Sequence, residues 1–237
     1  MTHDADSWWL DEARHAGREN LDELHVQRYD AKMDADASAE LRMLEEMGLV
    51  GPASTVVDLG AGTGQFALAA AGACQRVVAV DVSPVMLARL AEKAERAAVG
   101  NVELAPAGFL SYEHTGAPPD LVYSRFALHH LPDFWKAVAL RRVAAMLRPG
   151  GAFRLWDVVY GFDPGEAEAR IEAWIADIVT SDIEDGWTRA ELAEHVRDEH
   201  STYTWLLEPM LERAGFDISD AELDDSGMLA RYLCRRR

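Results

Sequence analysis

Segment 56–66 constrains the fold more than any other stretch of the chain. It reads Val-Val-Asp-Leu-Gly-Ala-Gly-Thr-Gly-Gln-Phe, with glycine at positions 60, 62 and 64. The β-branched residues before the glycines favour a buried strand, and the apolar stretch after them favours a helix. Glycine lets the backbone turn tightly and lets a ligand approach it, while the N–H groups that open a helix attract electron-rich atoms. The segment therefore predicts a strand, a ligand-binding loop and a helix in succession.

Short apolar runs alternate with amphipathic stretches on both sides of this loop. We predict strands at 55–59, 76–81, 102–104, 120–124, 152–156, 216–223 and 228–234. Ser83-Pro84 provides an N-cap and a first helical position, and a further helix is expected over 133–147. This alternation indicates a parallel sheet with helices on both faces, an α/β fold of the Rossmann-like doubly wound type.

The flanking regions read as helical additions to that core. Residues 7–48 show helical spacing, and residues 164–214 read as two or three helices, one with the capping box Thr188-x-x-Glu191. We interpret the chain as a single domain. It comprises an N-terminal helical cap (1–50), a cofactor-binding core (51–160), a helical insertion between strands five and six (161–204), and a last helix with two strands (205–237).

An acidic residue makes the glycine loop more specific. Asp81 ends the second strand, where a carboxylate can accept hydrogen bonds from two ribose hydroxyls, so an adenosine-containing cofactor is expected. A dinucleotide fingerprint needs G-x-G-x-x-G, but Gln65 stands where its third glycine would be. The spacing disfavours an NAD-dependent oxidoreductase, which we keep as a minor alternative.

Five motifs in order resemble the class I S-adenosylmethionine-dependent methyltransferases. They are the glycine loop of 57–64, Val-Asp-Val-Ser-Pro-Val-Met-Leu at 80–87, Asp-Leu-Val-Tyr-Ser at 120–124, Leu-His-His-Leu at 128–131, and Leu-Arg-Pro-Gly-Gly at 147–151. The resemblance implies a seven-stranded sheet with the last strand antiparallel, and S-adenosylmethionine as cofactor. The cofactor-binding residues it implies are Tyr29, Asp58, Gly60, Ala61, Gly62, Gly64, Asp81, Val82, Met86, Gly108, Phe109 and Ser124.

The chain departs from the family pattern after the third strand. The family usually has Gly-Asp there, and that Asp binds the adenine amino group, whereas this chain has Gly108-Phe109. Phe109 cannot accept this hydrogen bond. Either Phe109 packs on adenine, or a backbone carbonyl or Ser111 supplies the acceptor.

Catalytic candidates follow the fourth strand, at the expected cofactor edge. Histidine is the commonest general base near neutral pH, which makes His129 the first candidate, while His130 could act there or simply cap and pack. Arg125 could hold a carboxylate or phosphate of the acceptor, or form an internal ion pair.

Aromatic and histidine side chains near the same edge suggest an acceptor pocket. We expect substrate binding by Trp156, Tyr160, His200 and Tyr203, and the competing interpretation for each is core packing. The two cysteines form no CxxC pair and the adjacent histidines point in different directions, so no metal site is expected.

The formal net charge of −18 limits the partners. Residues 51–150 hold 8 acidic and 9 basic side chains, so the flanks carry the excess acid. We expect a small-molecule acceptor, no nucleic acid, no membrane, a monomer or homodimer, and a cytoplasmic location. The predicted function is methyl transfer to O, N or C of a small molecule by in-line displacement. The alternative is a non-catalytic S-adenosylmethionine-binding scaffold or regulator.

Overall fold

A mixed β-sheet forms the centre of the molecule. The computed structural model describes residues 8–17, 20–22, 26, 37–180 and 186–237. The strands are β1 (Thr55–Leu59), β2 (Arg76–Asp81), β3 (Val102–Pro106), β4 (Leu121–Arg125), β5 (Ala152–Tyr160), β6 (Thr202–Tyr203), β7 (Phe216–Leu223) and β8 (Leu229–Arg236). Their order is β3-β2-β1-β4-β5-β8-β7, with the two-residue β6 beside β5. β8 runs antiparallel to both of its neighbours, β5 and β7, and the other described strand pairs are parallel.

Helices cover both faces of the sheet. They are α1 (Ser38–Glu46), α2 (Gln65–Ala71), α3 (Pro84–Arg96), α4 (Asp133–Met146), α5 (Ala167–Thr180), α6 (Arg189–Asp198) and α7 (Thr204–Ala214). Short 3-10 turns span Glu12–His15, Leu128–His130 and Pro164–Glu166. No helix in the described ranges combines the length and apolar character that crossing a bilayer requires.

Alternation along the strands divides the core into two layers. Val57 and Val78 face one cluster with residues of α4 and α7, while Val56 and Val77 face a second cluster with residues of α1 and α2. All four valines are at most 3% exposed. Because successive strand residues point to opposite faces, β-branched runs without polar interruption suit a sheet covered on both sides.

The predicted fold class is confirmed, with the antiparallel strand in its expected place. The structure adds the short β6 and extends β5 to Tyr160, four residues beyond the predicted end. The extension is held by pairing on both sides, with Val158 opposite Leu229 of β8 and Val159 opposite Thr202 of β6. Trp156 and Tyr160 therefore lie within the strand and do not follow it.

The N-terminal region is described only in part, over residues 8–17, 20–22, 26 and 37–50. In its described part, a 3-10 turn over Glu12–His15 and the helix α1 are the main regular elements. Leu21 is 41% exposed. Residues 8–11 and 20–22 adopt extended or turn conformations instead of a helix.

One buried ion pair attaches α1 to the sheet. Arg154 Nε of β5 donates to Glu40 Oε1 at 2.7 Å, and the two side chains are 3% and 12% exposed. Because this Arg154 would otherwise be a buried charge without a partner, the pair has a larger effect on stability than a surface pair.

We expect Glu40→Ala to lower the free energy of unfolding by about 3–5 kcal/mol, the cost of stranding a buried charge. Urea denaturation monitored by tryptophan fluorescence measures it. The matched control is Glu103→Ala, which removes the partner of Arg76 at 2.6 Å in a pair that is 31% and 58% exposed. The control should cost about 1 kcal/mol or less. Equal losses in the two variants would contradict the assignment.

Candidate active site

The glycine loop lies at the carboxyl end of β1, against the end of β2. The N–H groups of Gly60 and Ala61 both donate to the carbonyl of Val80, at 2.9 and 3.0 Å. Gly60 has φ +75°, and a Cβ there would lie 2.2 Å from Cβ of Ala127. Only glycine fits this close approach and this left-handed backbone.

Asp81 holds the loop from the neighbouring strand. Its Oδ2 accepts from the N–H of Gly62 at 2.8 Å, and its Oδ1 accepts from the N–H of Ser83 at 2.8 Å. Burial raises the pKa of Asp81, and these two hydrogen bonds oppose the rise. A carboxylate has about four acceptor sites, so both oxygens can still accept from a ligand.

Two adjoining cavities surround the loop. The larger is an open space of about 590 Å³, and the smaller one of about 390 Å³ shares Gly60, Gly62 and Phe126 with it. The predicted site residues that line the larger cavity are Gly60, Gly62, Asp81, Val82, Met86, Gly108, Phe109 and His130. Those that line the smaller one are Asp58, Gly60, Ala61, Gly62 and Arg125.

Asp58 and Arg125 both line the smaller cavity. Burial and repulsion from Asp81 raise the pKa of Asp58 to about 8, although the N–H of Ala67 donates to it. Arg125 stacks against Trp156, with its guanidinium carbon 4.1 Å from the ring centre. Its buried Nε has no hydrogen-bond partner among the described residues. No carboxylate of the described chain forms the internal ion pair considered for this arginine.

Glu12, which the sequence patterns missed, lines the larger cavity. Its Oε2 accepts from the N–H of Leu110 at 2.9 Å, and its Oε1 accepts from Oγ of Ser111 at 2.8 Å. A Cβ on Gly108 would lie 2.4 Å from Oε2. Burial raises the pKa of Glu12, and the hydrogen bonds oppose the rise. The sequence contained one indication that another acidic residue was needed here, because Phe109 stands where the family usually has an Asp.

His129 lies between two carboxylates. Its Nδ1 lies 2.5 Å from Oδ1 of Asp157, and its Nε2 lies 3.0 Å from Oε2 of Glu199. Burial opposes a charge on this ring, but the two carboxylates outweigh burial and raise its pKa to about 10. Both ring nitrogens face carboxylates, and this environment opposes the predicted role of His129 as a general base.

His130 has the opposite environment. It lines the larger cavity, and its buried Nδ1 has no hydrogen-bond partner in the described structure. Burial and the charge of His129 lower its pKa to about 3. His130 is therefore a neutral imidazole facing the cavity.

Two further predicted cofactor-binding residues, Ser124 and Gly64, are not among the residues that line either cavity. Ser124 is fully buried, and its Oγ has no partner among the described residues. Gly64 has φ +85° and packs so closely that a Cβ would lie 2.5 Å from Leu90. Tyr29 lies outside the described residues.

The predicted acceptor pocket does not form as one group. Tyr160 and Tyr203 pack with Phe162 in a separate hydrophobic cluster, with ring centres 5.3–5.9 Å apart. The Trp156 ring lies under two guanidinium groups, of Arg125 and Arg231. His200 packs near His15, with 5.7 Å between ring centres. These contacts favour the packing interpretation for Tyr160 and Tyr203.

Comparisons with known proteins agree with this geometry. A family model described as a methyltransferase domain matches residues 56–151. An uncharacterized methyltransferase of Anoxybacillus flavithermus is 28% identical, and the match covers 82% of each chain. The ribosomal protein L11 methyltransferase of Symbiobacterium thermophilum is 33% identical over 62% of this chain, but the match spans only 45% of that relative.

A solved structure shares the fold. Phosphoethanolamine N-methyltransferase 2 of Haemonchus contortus, in complex with phosphomonomethylethanolamine and S-adenosylhomocysteine, superposes with a TM-score of 0.64 and 20% identity. The superposition covers 91% of this chain and 46% of that protein. Residues 56–151 therefore match a methyltransferase domain, and the glycine loop, the strand order and these relatives support a class I S-adenosylmethionine-dependent methyltransferase.

Proposed function

We propose that the protein methylates an oxygen, nitrogen or carbon atom of a small-molecule acceptor. The observation that carries this proposal is the cavity of about 590 Å³, which residues of the N-terminal segment (Glu12, Ala16 and Asn20) line together with the glycine loop. A recess between a sheet edge and a covering segment suits a small ligand better than an extended macromolecule. The net charge of −18 also opposes contact with a phosphate backbone.

The residues present fit the cofactor. Asp81 has acceptor capacity left for the ribose hydroxyls, and Asp58 is a buried carboxyl suited to the methionine ammonium group. Arg125 lines the same cavity as Asp58, so we reassign it from acceptor binding to the methionine carboxylate. S-adenosylmethionine supplies an electrophilic methyl group when it is bound.

Adenine recognition is assigned to residues from two distant segments. Val82, Met86 and Phe109 give the larger cavity an apolar lining. Glu12 reaches the position beside Gly108, where the family usually has its Asp, and we propose that it accepts from the adenine amino group. Phe109 in place of the family's Asp was the argument for a non-catalytic scaffold. Glu12 weakens that argument because it supplies a carboxylate to the same cavity.

Catalysis then depends on orientation and desolvation. The neutral ring of His130 lines the larger cavity, so it can contact the acceptor there and help to orient it. With a pKa lowered to about 3, this ring is a poor proton acceptor. Holding two reactants in the reactive geometry can itself lower the activation barrier by about 7–11 kcal/mol.

The acceptor class can be tested directly with S-adenosylmethionine labelled in its methyl group. We expect the label to enter a small-molecule extract of the source cells and not purified RNA or total protein. Liquid chromatography with scintillation counting detects it, and Asp81→Ala is the inactive control. Transfer to RNA or protein alone would contradict the proposal. Cofactor binding without transfer to any fraction would favour the scaffold.

The ribose contact predicts a defined loss of affinity. Asp81→Ala should weaken S-adenosylhomocysteine binding by about 1.5–3 kcal/mol, the value of charge-assisted hydrogen bonds, which is about 10- to 150-fold in Kd. Titration calorimetry measures it. A 2′-deoxy analogue should bind the wild-type protein more weakly than S-adenosylhomocysteine does. In Asp81→Ala this difference in affinity should be much smaller, because the carboxylate that binds the 2′-hydroxyl is absent. Unchanged affinity would place the ribose elsewhere.

Asp58 should couple cofactor binding to proton release. With a pKa of about 8, its carboxyl is largely protonated at pH 6.5, and a bound ammonium group should ionise it. We expect close to one proton to be released, measured by calorimetry in two buffers that differ in ionisation enthalpy. Affinity should rise with pH toward 8. Asp58→Asn should abolish both effects, and proton release that persists in this variant would exclude Asp58 as the source.

A further inference from the structure

A cluster of ionisable side chains lies behind His130, outside both cavities. His195 and Glu199 come from the end of α6 and the residue that caps it, and His129 comes from the 3-10 turn after β4. The i,i+4 spacing brings His195 and Glu199 to one face of the helix. None of the three has a role in the proposed methyl transfer.

Three donor atoms converge in this cluster. Oε2 of Glu199 lies 3.0 Å from Nε2 of His129 and also contacts Nδ1 of His195. The ligand atoms that the three residues offer all lie within 4.8 Å of one another. Two imidazoles and one carboxylate around a tetrahedral Zn²⁺ would have ligand atoms about 3.3 Å apart, which small side-chain rotations provide.

The surroundings have the features of a metal centre's outer shell. Asp157 contacts Nδ1 of His129 at 2.5 Å and accepts from the backbone N–H of His129 at 2.9 Å. A carboxylate on the far nitrogen fixes the orientation of a metal-binding histidine and increases its basicity. Asp157 is 2% exposed, so this support is rigid and shielded from water.

The two carboxylates beside His129 and one buried ring nitrogen of His195 also favour a bound metal ion. Asp157 and Glu199 place two carboxylates on opposite sides of the His129 ring. A divalent cation neutralises them more completely than a single shared proton does. Nε2 of His195 is buried with no hydrogen-bond partner among the described residues. Apart from the contact of its Nδ1 with Glu199, no described hydrogen bond explains why this ring is buried.

We propose that His129, His195 and Glu199 form a binding site for one divalent transition-metal ion of the Zn²⁺ type. Nitrogen donors favour Zn²⁺ over Mg²⁺ or Ca²⁺, and a set of two histidines and one glutamate leaves a fourth position open. The side chain of Glu199 is 14% exposed, which gives an ion a route into the cluster.

The ion would fix the inserted helices to the catalytic edge. The ligands connect α6 to the 3-10 turn that also carries His130, and Nδ1 of His130 lies 3.9 Å from Oε1 of Glu199. Metal occupancy would therefore set the position of the cavity wall at His130. The ion has a structural role in this proposal, which does not depend on the identity of the methyl acceptor.

The first experiment measures metal content and coordination in the whole protein. After dialysis against a chelator, we expect equilibrium dialysis with Zn²⁺ to give one bound ion per chain, and thermal unfolding to shift to higher temperature with added Zn²⁺. Co²⁺ should bind in its place, with visible d–d bands and no thiolate charge-transfer band, because the ligands are nitrogen and oxygen. Failure of the wild-type protein to bind either metal would overturn the proposal and leave a proton-sharing chain.

Variants locate the ion. Glu199→Gln and His195→Ala should each abolish stoichiometric binding, and Asp157→Asn should weaken it by about 10- to 100-fold. The matched control is His114→Ala, whose ring bonds to Tyr112 near the β3–β4 connection and lies outside the cluster. Circular dichroism checks that each variant is folded, and Glu199→Gln preserves side-chain shape. Zn²⁺ binding unchanged in folded Glu199→Gln, or lost in His114→Ala, would contradict the site.

Discussion

The hydrogen bonds from Gly62 and Ser83 to the carboxylate of Asp81 join the parts on which the site depends. They connect the loop after β1, the end of β2 and the start of α3. The same side chain is exposed to the larger cavity, where a ribose can reach it. A carboxylate in this position does two jobs at once, because its multiple acceptor sites serve the backbone and the ligand together. Gly60 and Gly62 have positive φ, a backbone conformation that other residues rarely adopt, and this conformation keeps the N–H of Gly62 on the Asp81 carboxylate.

The parts of the fold governed by local patterns could be predicted from the sequence. Runs such as Val56–Val57 or Val77–Val78 are β-branched and unbroken, so their burial in parallel strands follows from composition alone. The glycine spacing and Asp81 define the cofactor loop within a short stretch of chain. The end of β5 could not be predicted in this way, because pairing with β6 and β8, far along the sequence, keeps residues through Tyr160 extended.

The site features that the sequence did not predict share one cause, which is a partner far along the chain. The sequence predicts His129 as a base, but Oε2 of Glu199, at the end of the inserted helices, lies 3.0 Å from its Nε2. Glu12 bonds to Leu110, which lies 98 residues further along the chain. Hydrophobic periodicity carries no information about such pairs, since it reports which face of an element is buried and not which side chain lies opposite. Protonation states cannot be predicted from the sequence for the same reason, because burial and neighbouring charges set the pKa values.

The acidity of the flanks also has a structural meaning. Glu12 and Glu40 of the N-terminal region and Glu199 of the insertion each extend inward and bind groups of the central module. Their partners are backbone N–H and hydroxyl groups, the guanidinium of Arg154, and the ring of His129. The flanks are thus attached to a nearly neutral core by carboxylates as well as by apolar contacts. Buried carboxylates need specific partners in specific positions, whereas apolar contacts tolerate sliding, so these three residues fix the register in which the flanks lie on the cofactor edge.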